Sequence, residues 1–206
     1  MSAWTAAQAP GSAPAELALP RTRVDRATQR LENVRYAPTP HCDERPDPAD
    51  ISLIVVHAIS LPPGAFGGPH IERFFTGRLD AAAHPYFGSI KDLEVSAHLL
   101  IDRHGEITQF VTFDRRAWHA GASFFDGRER CNDFSIGIEL EGSDEQPFAV
   151  VQYERLARCC RALLEAYPAL TAARIVGHSD IAPGRKTDPG PHFDWDGFLA
   201  RLEYPR

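Results

Sequence analysis

The run ISLIVVH, residues 51–57, constrains the fold more than any other stretch of this chain. It is short, rich in β-branched residues and bounded by Pro and Asp, which predicts a buried central strand ending at His57. With 206 residues and 43 % apolar side chains, the chain can close one hydrophobic core and falls short of the length that favours two domains.

Three further strands are predicted at VSAHLLID, EITQFVTF and FSIGIELEG, the second following the turn His104-Gly105. In FSIGIELEG, Ile136, Ile138 and Leu140 alternate with residues of the other face. From Phe148 to Tyr167 the apolar side chains Tyr153, Leu156, Ala157, Cys160, Leu163, Leu164 and Tyr167 recur at helical steps, and Pro168 ends the pattern. A short strand ARIVGH then runs to His178, and a loop leads to a helix starting near Trp195. Between Ser60 and Ile90 lies a Gly- and Pro-punctuated connection with one short helix from Pro69 to Phe75; a connection of that length in a compact domain is usually functional. The expectation is a single α/β domain over residues 26–206, preceded by an Ala- and Pro-rich flexible tail over 1–25.

The formal net charge of -6 lacks the basic excess that phosphate backbones attract, so no nucleic-acid partner is expected. No stretch reaches the roughly 18 apolar residues of a membrane span, and prolines break the N-terminal stretch before an apolar export segment can form. The four cysteines, Cys42, Cys131, Cys159 and Cys160, contain no CxxC pair and read as reduced thiols. A cytoplasmic protein without a membrane partner is expected.

Two histidines stand out by position. His57 and His178 each close a short β-branched run, and α/β sheets gather their sites at strand ends. Ten residues after His178, in RKTDPGP, Asp188 is restrained by the proline that follows it. Two imidazoles and a carboxylate form a ligand set that suits a catalytic zinc with its fourth position open. Glu139 and Glu141 share the strand face opposite Ile138 and Leu140, where one of them can act as a general base. Lys186, two residues before Asp188, can aim its ammonium at a developing oxyanion. The same positions also read as a turn-forming carboxylate, solvated strand charges and a surface lysine.

The strings LIVVHAISLPPGAFGG, RRAWHAG, RERCNDFSIGIELEG and VGHSDIAPGRKTDPGPHFDW go further. Together, in order from about residue 35 to residue 200, they resemble the AmpD family of 1,6-anhydro-N-acetylmuramyl-L-alanine amidases of Gram-negative cell-wall recycling, within the type 2 amidases. The resemblance implies a central mixed β-sheet flanked by helices and one zinc ion held by His57, His178 and Asp188. It implies Glu139 as the catalytic acid–base, Lys186 as the catalytic lysine, and Trp118 and Arg130 in the substrate cleft, with Arg128 a second basic candidate. The implied substrate is an anhydromuramyl peptide, cut between the lactyl group and L-alanine. A non-catalytic peptidoglycan recognition module and an amidase acting on intact murein are the alternatives. The chain departs from the family pattern at Ala58 and Glu94, which bears on substrate preference.

Overall fold

The computed structural model describes residues 21–203 and places the ISLIVVH run inside a six-stranded mixed sheet. The strand order is Ile175–Gly177, Leu53–Ile59, Ser135–Glu141, Leu99–Ile101, Ile107–Gln109 and Arg35–Tyr36. The first four are mutually parallel, the fifth returns antiparallel as a hairpin, and the edge strand runs parallel to the fifth. The carboxyl ends of the parallel strands therefore converge at one end of the sheet, where α/β folds place their ligands.

The two faces of the central strands do different work. Ile54, Val56, Ile136, Ile138 and Leu140 are fully buried against the helix Val150–Ala166. That helix presents Tyr153, Leu156, Ala157, Cys160 and Leu163, the stripe its periodicity predicts, and the terminal helix Trp195–Glu203 packs beside it through Phe198 and Leu202. Gln152 is buried in the same helix and is polar. Its amide donates to the carbonyls of Ile101 and Glu141 and accepts the Ala149 N–H, so it ties the helix start to two strand ends. On the opposite face Leu53 and Val55 meet Ala120, Cys131, Phe134 and Ile181 in a smaller cluster. His57, Glu139 and Glu141 continue that face toward the strand ends.

The connection from Ser60 to Ile90 forms two short helices, His70–Phe75 and Phe87–Ile90. Phe74, Phe75, Phe87 and Ile90 pack with Leu61, Leu100 and Phe110 in a third cluster, so this long connection is anchored.

Several boundaries differ from those read in the sequence. Residues 1–20 of the predicted tail lie outside the described residues. Within its remainder, Val24–Asp25 pairs with Arg30–Leu31 around a turn in which Asp25 accepts from Ala27 N and Thr28 Oγ1, so regular structure starts before residue 26. VSAHLLID and EITQFVTF form regular strands only over Leu99–Ile101 and Ile107–Gln109, with Asp102 N on Glu106 O and Phe110 N on His98 O closing the hairpin at either end. Ser96 N and His98 N turn to other segments, bonding Trp118 O and Gly137 O. The first strand continues past His57 to Ile59, because its ladder with Ser135–Glu141 extends to the Glu141 pair. His178 opens a one-turn helix, His178–Ile181, instead of ending a strand; Asp180 turns the chain there by accepting the Gly177 N–H at 2.7 Å.

Candidate active site

His57 and Glu139 are register partners on adjacent parallel strands, so their side chains leave the same face side by side. His178 joins them from the strand Ile175–Gly177, on the other side of the His57 strand. The loop after His178 folds back on itself: Arg185 N and Lys186 N both donate to Ala182 O, and Ser179 N donates to Asp188 O at 3.0 Å. That return brings Asp188 to the two histidines.

The three candidate ligand atoms form a nearly equilateral triangle. His57 Nδ1 lies 3.0 Å from His178 Nδ1 and 3.0 Å from Asp188 Oδ2, and His178 Nδ1 lies 3.1 Å from Asp188 Oδ2. A tetrahedral ion with bonds of about 2.0–2.1 Å has ligand edges of about 3.3 Å, close to this spacing. His178 Nε2 lies 3.1 Å from the Ala120 carbonyl, which can only accept, so Nε2 carries the proton and Nδ1 turns a lone pair toward the cluster. Burial lowers the His57 pKa, with Asp188 opposing the shift, which favours the neutral imidazole a metal requires. Lone pairs and a carboxylate converging at this spacing fit a cation. Among the described residues this is the one such cluster of three.

Glu139 and Lys186 line the same cavity as the three ligands, a space of about 340 Å³. Glu139 is 9 % exposed, and its Oε2 is buried without a hydrogen-bond partner. Burial pushes its pKa well above the usual carboxylate value, the Asp188 charge adds to the rise, and Lys186 opposes it. Beyond this polar end the wall turns apolar, with Leu61, Phe74, Phe75, Ile90 and Val95, and Tyr86 and Leu93 stand partly exposed at its margin. Trp118 also lines the cavity, its Nε1 donating to Asp43 Oδ1 at 3.1 Å and its ring stacked on His41.

The two arginines from RERC are not brought to this cavity. Arg130 is exposed, in a left-handed backbone conformation (φ 60°), and pairs with Asp133 at 3.2 Å beside a separate hollow with Arg185. Arg128 pairs with Asp50 and lies 3.8 Å over the Phe134 ring. Ala58 lines the cavity, whereas Glu94 belongs to a neighbouring hollow with His41 and Lys91.

Two residues were not singled out by sequence reasoning. His119 places Nδ1 2.9 Å from His57 Nε2 and Nε2 3.1 Å from Ser135 Oγ. Asn132 accepts the N–H groups of His119 and Ala120 on one oxygen. A signal for His119 was present in Gly137. A glycine inside a strand marks close approach, and a Cβ there would sit 2.5 Å from the His119 ring.

Glu141 lies on the site face but outside the cavity. Its carboxylate, 3 % exposed, accepts Gly67 N and Arg103 N and so ties the loop at the cavity rim to the sheet. Glu141→Ala leaves two backbone donors without their acceptor and should cost about 1–3 kcal/mol of stability, read by denaturant unfolding. Glu141→Gln keeps one acceptor oxygen and should keep turnover within about tenfold.

A sheet that, with the short helix and loop following its strand Ile175–Gly177, brings a His–His–Asp triangle, a buried glutamate and a lysine into one cavity has the layout of an amidase with a candidate metal site. Family comparison agrees: residues 47–191 match the N-acetylmuramoyl-L-alanine amidase family, and the chain belongs to it. Within that family the chain is 59 % identical over 168 residues to the 1,6-anhydro-N-acetylmuramyl-L-alanine amidase AmpD of Escherichia coli, covering 82 % of this chain and 91 % of that one. It is 55 % identical over 173 residues to the Haemophilus influenzae AmpD, covering 84 % and 94 %. A crystal structure of a selenomethionine AmpD derivative superposes with a TM-score of 0.81 at 58 % identity, covering 84 % of this chain and 96 % of that one. The amidase AmiD of Escherichia coli, solved in complex with anhydro-N-acetylmuramic acid-L-Ala-D-γ-Glu-L-Lys, superposes at 0.55 with 30 % identity, covering 74 % and 57 %.

Proposed function

We propose that this amidase hydrolyses the bond between the lactyl group of 1,6-anhydro-N-acetylmuramic acid and the L-alanine of muropeptides, in peptidoglycan recycling. The observation that carries the reading is one cavity holding a metal-competent triangle, an unpartnered buried carboxyl and a lysine. The high identity to AmpD enzymes over nearly their whole length supports the substrate.

His57, His178 and Asp188 would hold one zinc ion. A zinc ion held there would supply Lewis acidity toward the lactyl carbonyl, lower the pKa of water at the site toward 7, and set positive charge against the Asp188 charge that raises the Glu139 pKa. Glu139 takes the proton of the attacking water and delivers it to the leaving alanine nitrogen. Its burial suits this shuttle, because a carboxyl with a raised pKa and no fixed partner can both accept and release a proton. Lys186 places its ammonium near the carbonyl oxygen, which becomes negative as the tetrahedral centre forms. Trp118 and the apolar wall exclude water from the reacting centre and pack against the substrate.

No helix among the described residues is long and apolar enough to cross a membrane. The four cysteines are all free thiols, three of them buried, which supports a reducing cytoplasmic setting.

Purified protein should carry one zinc per chain by elemental analysis, with full metal accompanying full activity; active protein with less than about a tenth of an equivalent overturns the zinc assignment. The substrate is tested by comparing turnover of anhydro-muropeptide with release from whole sacculi. Preference for the soluble anhydro compound is expected. Preference for sacculi makes the chain a wall-degrading amidase, and no cleavage of either returns it to recognition alone.

A further inference from the structure

Both metal histidines lean on the same two residues of one short segment. His57 Nε2 meets the His119 ring, His178 Nε2 meets the Ala120 carbonyl, and a single oxygen of Asn132 holds the N–H groups of both 119 and 120. Arg185 also donates to the Ala120 carbonyl, so that acceptor is fixed from two sides. The His119 ring lies edge-on to His57, with centroids 5.0 Å apart and planes at 83°, over the bare Cα of Gly137.

Proton bookkeeping then fixes each ring. A ligand that offers Nδ1 to a metal must carry its proton on Nε2, so His57 donates to His119 Nδ1. A neutral imidazole accepting on Nδ1 carries its own proton on Nε2, and Ser135 Oγ stands 3.1 Å away to take it. The chain His57–His119–Ser135 is thus polarised in one direction, away from the metal. Outer partners of this kind orient a ligand ring and raise its basicity.

We infer that His119 is a positioning residue for the metal centre: with Ala120 it forms one mount, anchored by Asn132, that sets the tautomer and aim of both histidine ligands. The inference rests on the proposed zinc site. It adds that metal affinity depends on a histidine that does not touch the metal.

The test measures zinc affinity by competition with a chromophoric chelator on wild type, His119→Phe and Ser135→Ala, each first stripped of metal. His119→Phe keeps an aromatic ring on Gly137 but cannot accept from His57. It should bind zinc about 10- to 100-fold more weakly, while the thermal midpoint of the metal-free protein stays close to wild type. Ser135→Ala removes the far end of the chain and should weaken zinc less, by about threefold to tenfold. Nitrogen-15 spectra of the zinc-loaded wild type give a readout that no variant's folding can spoil: His57 should show a proton on Nε2 that exchanges slowly with solvent. A wild type that binds no zinc removes the metal reading itself. A wild type that binds zinc, with His119→Phe matching its affinity or His57 lacking the Nε2 proton, overturns the role of His119 alone.

Discussion

Glu139→Gln should lower turnover of anhydro-muropeptide by about 10²–10⁴, the span expected for loss of a general base, with zinc content unchanged. The substitution keeps size and shape and removes only the capacity to take a proton. Strand geometry places two acids on this face about 6–7 Å apart, so only one can stand beside the metal. Glu139 is the register partner of His57 and lines the cavity, with an oxygen committed to no other group. Glu141 commits each oxygen to a backbone N–H of a different loop and does not line the cavity, which directs it away from water at the site. The expected contrast is a nearly inactive Glu139→Gln and a working Glu141→Gln, measured on the same substrate at matched zinc. The reverse pattern would move the base two residues along the strand.

The same strand shows how far sequence reasoning reaches and where it stops. Alternation in FSIGIELEG predicts which residues fill the core and which face the site, and Ile136, Ile138 and Leu140 are fully buried as that period requires. The β-branched run at 51–57 likewise predicts its own burial, and the helical stripe after Phe148 predicts its packing face. Periodicity carries this information because burial repeats with the backbone. The metal triangle has no period. Its members come from a strand, the start of a one-turn helix and a returning loop, and spacing alone leaves Asp188 readable as a turn residue. The resemblance of four strings to one family is what singles it out, and the geometry then brings the three ligand atoms to within 3.1 Å of one another. The outer partners are harder still to read. His119 lies in an irregular segment and Asn132 in a single 3-10 turn, and they act through contacts between separate elements. Only the glycine at 137, a strand position with no side chain, marks in the sequence that something must come close.

Lys186→Ala should reduce turnover by about a hundredfold to a thousandfold, the usual cost of deleting one donor to a developing oxyanion, while zinc stays bound. The loop explains why so large an effect is expected from a single lysine. His178, Lys186 and Asp188 belong to one short excursion, closed by the bonds of Arg185 and Lys186 to Ala182 O and by Ser179 N to Asp188 O. The backbone carrying the ammonium is thereby held by the same bonds that place two metal ligands, and a preorganised charge contributes most because it need not reorganise as the transition state forms. Removing the side chain leaves those backbone bonds untouched, so a loss of turnover at full zinc content isolates the charge from the scaffold. Lys186→Arg should also be poor. It keeps the charge, but a planar guanidinium spreads it over a wider group that cannot bring it to the same point. Wild-type turnover in Lys186→Ala at equal zinc would remove the oxyanion role, and full rescue by arginine would show that the cavity needs a positive field without needing it at one atom.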